Sequence, residues 1–103
     1  MERSAQVIDF AYLEGFLAGD AAVIREVLAL FTAQADVWRA GLNAGREGWR
    51  DVAHTVKGAA RGIGAPILAE ACERAEFGDE AALPDAQAAL SEVVAAIEAR
   101  LAS

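Results

Sequence analysis

Apolar residues recur at three- and four-residue steps along nearly the whole chain, and glycine or proline interrupts the pattern at its breaks. Such spacing puts them on one face of an α-helix, whereas a strand would need a period of two. The chain is therefore expected to fold as amphipathic helices joined by short connections. Composition agrees: alanine, the best helix former, makes up about a quarter of the residues, and there are two prolines. A chain of 103 residues can bury roughly 60–70% of its unfolded surface, enough for one core. A single domain over residues 1–103 is expected.

The breaks divide the chain into one short and four longer segments. Asp9 is placed to cap a short helix to Ala18, with Phe10, Leu13, Phe16 and Leu17 on one face. Gly19 and Asp20 end it and cap a long helix over Ala21–Ala40, whose stripe reads Val23, Val27, Leu30, Phe31, Gln34, Val37 and Trp38. Residues Gly41 to Gly45 form a turn. A third segment, Arg46 to Ile63, carries Trp49, Val52, Ala53, Val56, Ala60 and Ile63. Gly64 stops it, and Pro66 suits the first turn of the next helix, which runs to Phe77 with Ile67, Leu68, Ala71, Cys72 and Ala75 inward. Gly78-Asp79-Glu80 breaks the pattern, and Pro84 opens a last helix to about Ala102, with its seam at Leu83, Ala86, Leu90, Val93, Val94, Ile97 and Leu101. Short connections favour antiparallel neighbours. The expected fold is all-α: an antiparallel up-down-up-down four-helix bundle with a short additional N-terminal helix.

Charge narrows the function. The net charge is −7, which argues against a nucleic-acid binder, since phosphate backbones need a basic face. No apolar run approaches a membrane span, and the polar stretch Met1–Asp9 lacks the apolar centre of a signal peptide, so a cytoplasmic protein is expected. The lone cysteine, Cys72, excludes an intramolecular disulfide and a multi-thiolate metal site and suits packing better than reactivity. Trp38 and Trp49 lie on apolar stripes and are expected in the core. A closed bundle with a full apolar seam makes a monomer the simpler expectation.

The only histidine, His54, lies roughly 150° around the third helix from its apolar stripe and is expected to face water. The same outward face is expected to hold Lys57, Gly58 and Arg61. A glycine inside a helix costs about 1 kcal/mol relative to alanine. Gly58 brings that cost beside the imidazole, where a missing side chain leaves room for a bulky partner. Lys57 and Arg61 bring positive charge to a place where an anion can sit. A solvated histidine with basic neighbours is also ordinary protein surface.

The run His54-Thr55-Val56-Lys57-Gly58-Ala59-Ala60-Arg61-Gly62-Ile63-Gly64-Ala65 resembles the signature of histidine-containing phosphotransfer (HPt) domains. That pattern is a histidine, a lysine-glycine pair three and four residues on, two small residues, and a glycine ten residues from the histidine. The continuation Leu68 to Glu76 is similar to the family's next helix, and the break at Gly19-Asp20 fits its opening. The resemblance implies a phosphoryl shuttle between receiver-domain aspartates of a two-component phosphorelay, with no ATP site and no autokinase activity. His54 would be the phosphoacceptor, Lys57 would lie near the phosphoryl oxygens, and Gly58 would leave room for the receiver's acidic pocket. Glu76 falls where many family members place a Gln or Glu that bonds the imidazole. It reads equally as a solvated glutamate. Ala59 and Ala60 stand where serines are common, and Phe77 with Gly78 shortens the helix.

Chemistry supports that assignment. Only a neutral imidazole has a lone pair to attack phosphorus, and a carboxylate on Nδ1–H would hold the tautomer that frees Nε2. The phosphoryl adduct carries nearly two negative charges, which Lys57 and Arg61 would offset. In-line displacement needs a divalent metal, and Asp51 alone is not a site, so Mg²⁺ is expected from the receiver partner rather than as a cofactor of this chain. Gly58, Gly62 and Ala65 would keep the docking face low, with Phe16, Leu17 or Ile63 at its edge. The expected partners are receiver domains and a hybrid sensor histidine kinase.

Other readings are a helical module that binds receivers or kinases without carrying phosphate, and the phosphoacceptor domain of a chemotaxis kinase, which belongs to longer chains. A hydrolase using His54 as base lacks a paired nucleophile and a phosphate loop. A metal site from His54 and Cys72 has too few ligands.

Overall fold

Local capping decides where the helices begin. In the computed structural model, which describes residues 7–102, Asp9 accepts a 3.1 Å hydrogen bond from the N–H of Tyr12 and starts α1 (Phe10–Phe16). Asp20 does the same for the N–H of Val23 at the head of α2 (Ala21–Gly41). Gly64 ends α3 (Trp49–Ile63), and Pro66 occupies the first turn of α4 (Pro66–Phe77). A 3₁₀ turn over Glu80–Ala82, following the expected break at Gly78-Asp79, leads into α5 (Leu83–Ala102). Most of the stretch read as lacking a signal peptide lies outside the described residues.

Helices α2 to α5 pack in sequence, and α5 returns against α2, which closes the expected up-down-up-down bundle. The molecule measures 39 × 31 × 20 Å, the elongation that helices of about 30 Å impose. The α3–α4 seam is the most extensive. Helix α1 crosses one end, packed on α3 and α2. It is fixed there by the Asp9 N–H, which donates to the Gly64 carbonyl at 2.7 Å. The core runs through the bundle from Leu13 and Leu28 to Leu68, Leu90, Val93 and Ile97, all fully buried. Such close-packed aliphatic burial is the main driving force of a fold this size.

Three expectations about the helices need correction. The core face of α2 is Ile24, Leu28, Phe31 and Ala35, while Val23, Leu30 and Val37 are exposed and Val27 and Trp38 are only partly covered. Apolar residues surround most of α2, so the period alone admits two stripes, and packing against α5 and α3 selects one. The third helix starts at Trp49 rather than Arg46. The preceding residues form a turn in which the Arg46 N–H donates to the Asn43 carbonyl at 2.9 Å. Gly41, expected in that turn, is buried as the last residue of α2.

Candidate functional site

His54 stands in the second turn of α3 with its side chain 67% exposed. The ring is tethered on one side. Glu76, in the last turn of α4, places Oε2 2.8 Å from His54 Nδ1. The other carboxylate oxygen, Oε1, forms a 2.7 Å ion pair with Lys57 Nζ. Glu76 thus bridges two side chains of α3 that lie one turn apart. Its backbone is held as well, since Arg50 Nε–H donates to the Glu76 carbonyl at 3.3 Å, while the Arg50 guanidinium stacks 4.4 Å from the Trp49 ring.

This wiring sets the electrostatics. The hydrogen bond from Lys57, and less so that from the His54 ring, holds the Glu76 carboxyl below the usual carboxylate range, against the opposing effect of its partial burial. An ionised Glu76 beside Nδ1 favours the tautomer with the proton on Nδ1 and the lone pair on Nε2. Burial, and then the negative charge of Glu76, pushes the nearby Cys72 thiol up to about 11. Cys72 is therefore an inert packing residue.

The surface beside the ring is low. A Cβ built at Gly58 or Gly62 would meet nothing within 4 Å. On the α2 side, Val27, Leu30, Phe31, Gln34 and Trp38 with Ala59 and Gly62 line an apolar groove of about 340 Å³. On the α4 side, Arg61 pairs with Glu73 at 2.6 Å.

Lys57 departs from its expected place. The sequence places it on the outward, solvated face, whereas its side chain is 7% exposed. It stands three residues after His54, which turns it toward α4, and α4 covers more of α3 than the apolar stripe alone indicates. Ala65 is fully buried and contributes no docking surface, and Ile63 belongs to the core. Phe16 is exposed and stacks on Tyr12 with ring centroids 6.2 Å apart. Trp49 is buried as expected, while Trp38 is partly buried and packs edge-on against Phe31.

Three contributors were missed. Arg50 had no signal beyond its place one turn before His54. Glu73, which no motif of the sequence singles out, pairs with Arg61. Phe77, read only as shortening its helix, presents its ring 4.5 Å from Lys57 Nζ. Among the described residues no group of three or more His, Cys, Asp or Glu side chains gathers to hold a metal ion. Among them, too, no helix is long and apolar enough to cross a membrane.

Comparison with known proteins identifies the class to which this helical bundle belongs. The Hpt domain family model matches residues 23–100. The crystal structure of the histidine phosphotransferase ShpA from Caulobacter crescentus superposes with a TM-score of 0.86 at 52% sequence identity, covering 93% of this chain and 91% of that one. A comparison with curated proteins found no match. The chain belongs to the Hpt domain family, and its function is phosphoryl transfer in a phosphorelay, where Hpt domains work with receiver domains and kinases.

Proposed function

We propose that His54 is the phosphoacceptor and that the chain accepts its phosphoryl group from one receiver-domain aspartate and passes it to another. The observation that carries this reading is the exposed imidazole whose Nδ1 is 2.8 Å from an ionised Glu76. With the proton kept on Nδ1, the Nε2 lone pair attacks phosphorus of the receiver's acyl phosphate. The N–P bond forms as the P–O bond to aspartate breaks, and the electron pair leaves with the aspartate carboxylate. The imidazolium then shares its Nδ1 proton with Glu76, whose charge offsets the new positive charge on the ring. The reverse step regenerates neutral His54.

Gly58 and Gly62 leave the approach to Nε2 open. Arg61, at the edge of the site, gives a mobile cation to the phosphoryl oxygens by exchanging Glu73 for phosphate. Lys57 acts first on Glu76 and through it on the ring. Both oxygens of the Glu76 carboxylate bonded to His54 are engaged. The divalent ion is accordingly assigned to the receiver, where Mg²⁺ would neutralise the transferring group. In this reading the chain is a cytoplasmic monomer, a co-substrate of receivers and of a hybrid sensor histidine kinase, with no autokinase activity.

The test is incubation with a phosphorylated receiver and Mg²⁺. Wild type gains one acid-labile phosphate and His54→Gln gains none. Equal labelling of the two proteins would refute the assignment, and no labelling of either would leave a receiver-binding module without transfer.

A further inference from the structure

Phe77 is the most exposed large hydrophobic side chain described, at 73%. It contributes nothing to the core, yet its ring lies 4.5 Å from Lys57 Nζ, an ammonium group on a side chain only 7% exposed. The exposed ring thus lies against an ammonium that is almost wholly out of water. Its place is fixed by the end of α4. Phe77 is the last helical residue, and both Gly78 and Asp79 direct their N–H groups to the Arg74 carbonyl. A Cβ at Gly78 would come within 2.6 Å of that carbonyl oxygen. Only glycine allows the chain to turn away immediately behind the ring.

We infer that Phe77 is a positioning residue of the transfer reaction: its ring holds the Lys57 ammonium on Glu76, and so keeps Glu76 aligned on His54. The inference rests on the proposed role of His54. A lysine carries a flexible four-carbon stem and a strongly hydrated charge, and at an open site it readily leaves a carboxylate for water. An aromatic face attracts the cation and excludes water from one side of it. With Lys57 so held, one oxygen of Glu76 is fixed and the other is directed at Nδ1. The groups facing Glu76 are His54 and Lys57 from α3, Arg50 at its carbonyl, and Cys72 on its own helix.

The experiment compares Phe77→Ala, Phe77→Leu and Phe77→Trp with wild type. The side chain is outside the core, so folding is preserved. Two quantities are read: the pH midpoint of the Glu76 carboxyl carbon by NMR, which needs no receiver, and transfer from a phosphorylated receiver, separated into maximal rate and half-saturating concentration. Phe77→Ala and Phe77→Leu should move the Glu76 midpoint upward and lower the maximal rate about two- to five-fold, with half-saturation unchanged, and Phe77→Trp should restore both. An unmoved Glu76 midpoint in Phe77→Ala overturns the inference. So does a change confined to half-saturation, which would make the ring a docking contact, or full restoration by leucine, which would make it plain apolar cover. Labelling of His54→Gln would instead defeat the phosphoacceptor assignment, and the titration would remain readable.

Discussion

The Glu76 carboxylate of α4 lies 2.8 Å from Nδ1 of His54 on α3, across the most extensive seam of the bundle. The contact joins residues 22 positions apart, and it exists only because α3 and α4 form an antiparallel hairpin. Fold and chemistry meet at this point. The α3–α4 corner at Gly64 sets the register of the hairpin, and the register sets which α4 residue faces the imidazole.

Glu76 should therefore influence both transfer and acid stability. Glu76→Ala removes the partner that selects the Nδ1–H tautomer and should slow transfer on the order of ten-fold, as expected for losing a charge-assisted hydrogen bond. The pH effect has a definite sign. The native carboxyl titrates below its ordinary value of 4.5, so its stabilising contribution is present above that pH and lost as pH falls through the lower native value. Urea unfolding from pH 6 downward should show wild type losing its advantage over Glu76→Gln below about pH 4.5. Parallel curves through that range would remove the Lys57–Glu76 pair from the stability account.

Gly58 separates stability from function. Its Cβ position is open, so Gly58→Ala gains helix propensity of roughly 0.5–1 kcal/mol with no clash in the free protein. Calorimetry should show a thermal midpoint raised by a few degrees. The same methyl group stands one turn from His54, where the proposed transfer brings a receiver, and transfer should slow through weaker receiver binding. A variant that is more stable and transfers at the wild-type rate would show that the open surface at this position has no part in docking.

Gly64 has the opposite character. It takes a left-handed φ of +78°, and a Cβ there would meet the Asp9 carbonyl oxygen at 3.0 Å and the Tyr12 ring at 2.9 Å. Gly64→Ala should destabilise the fold by about 1–3 kcal/mol, from backbone strain and displacement of α1. Denaturant titration measures the loss, and tyrosine fluorescence reports whether α1 has left the corner.

How much the sequence revealed depended on whether a feature is local. Asp9, Asp20, Gly64 and Pro66 act within a few residues of themselves, and the helix starts and the α3–α4 corner they define were legible. The outward position of His54 was legible because the stripe of α3 is narrow. The burial of Lys57 was not, because it depends on how far α4 wraps around α3, a tertiary quantity. Phe77 was hidden for a related reason: beside Glu76 in sequence, its ring acts on a residue of the neighbouring helix.

The core face of α2 gives the sharpest test of that distinction, because the sequence assigned it to the wrong stripe. Leu28 is fully buried, whereas Leu30, two residues on, is 62% exposed and lines the groove between α2 and α3. Leu28→Ala removes buried methyl groups and leaves a cavity, and should cost about 2–5 kcal/mol. Leu30→Ala removes surface already in water and should change stability by no more than about 0.5 kcal/mol. The two should part again in function. Leu30→Ala should weaken binding of a receiver that covers the groove, read as a higher half-saturating concentration, with the maximal transfer rate kept. If the two substitutions destabilised the protein equally, the helix would be rotated from the orientation described, and the groove between α2 and α3 would not exist in solution.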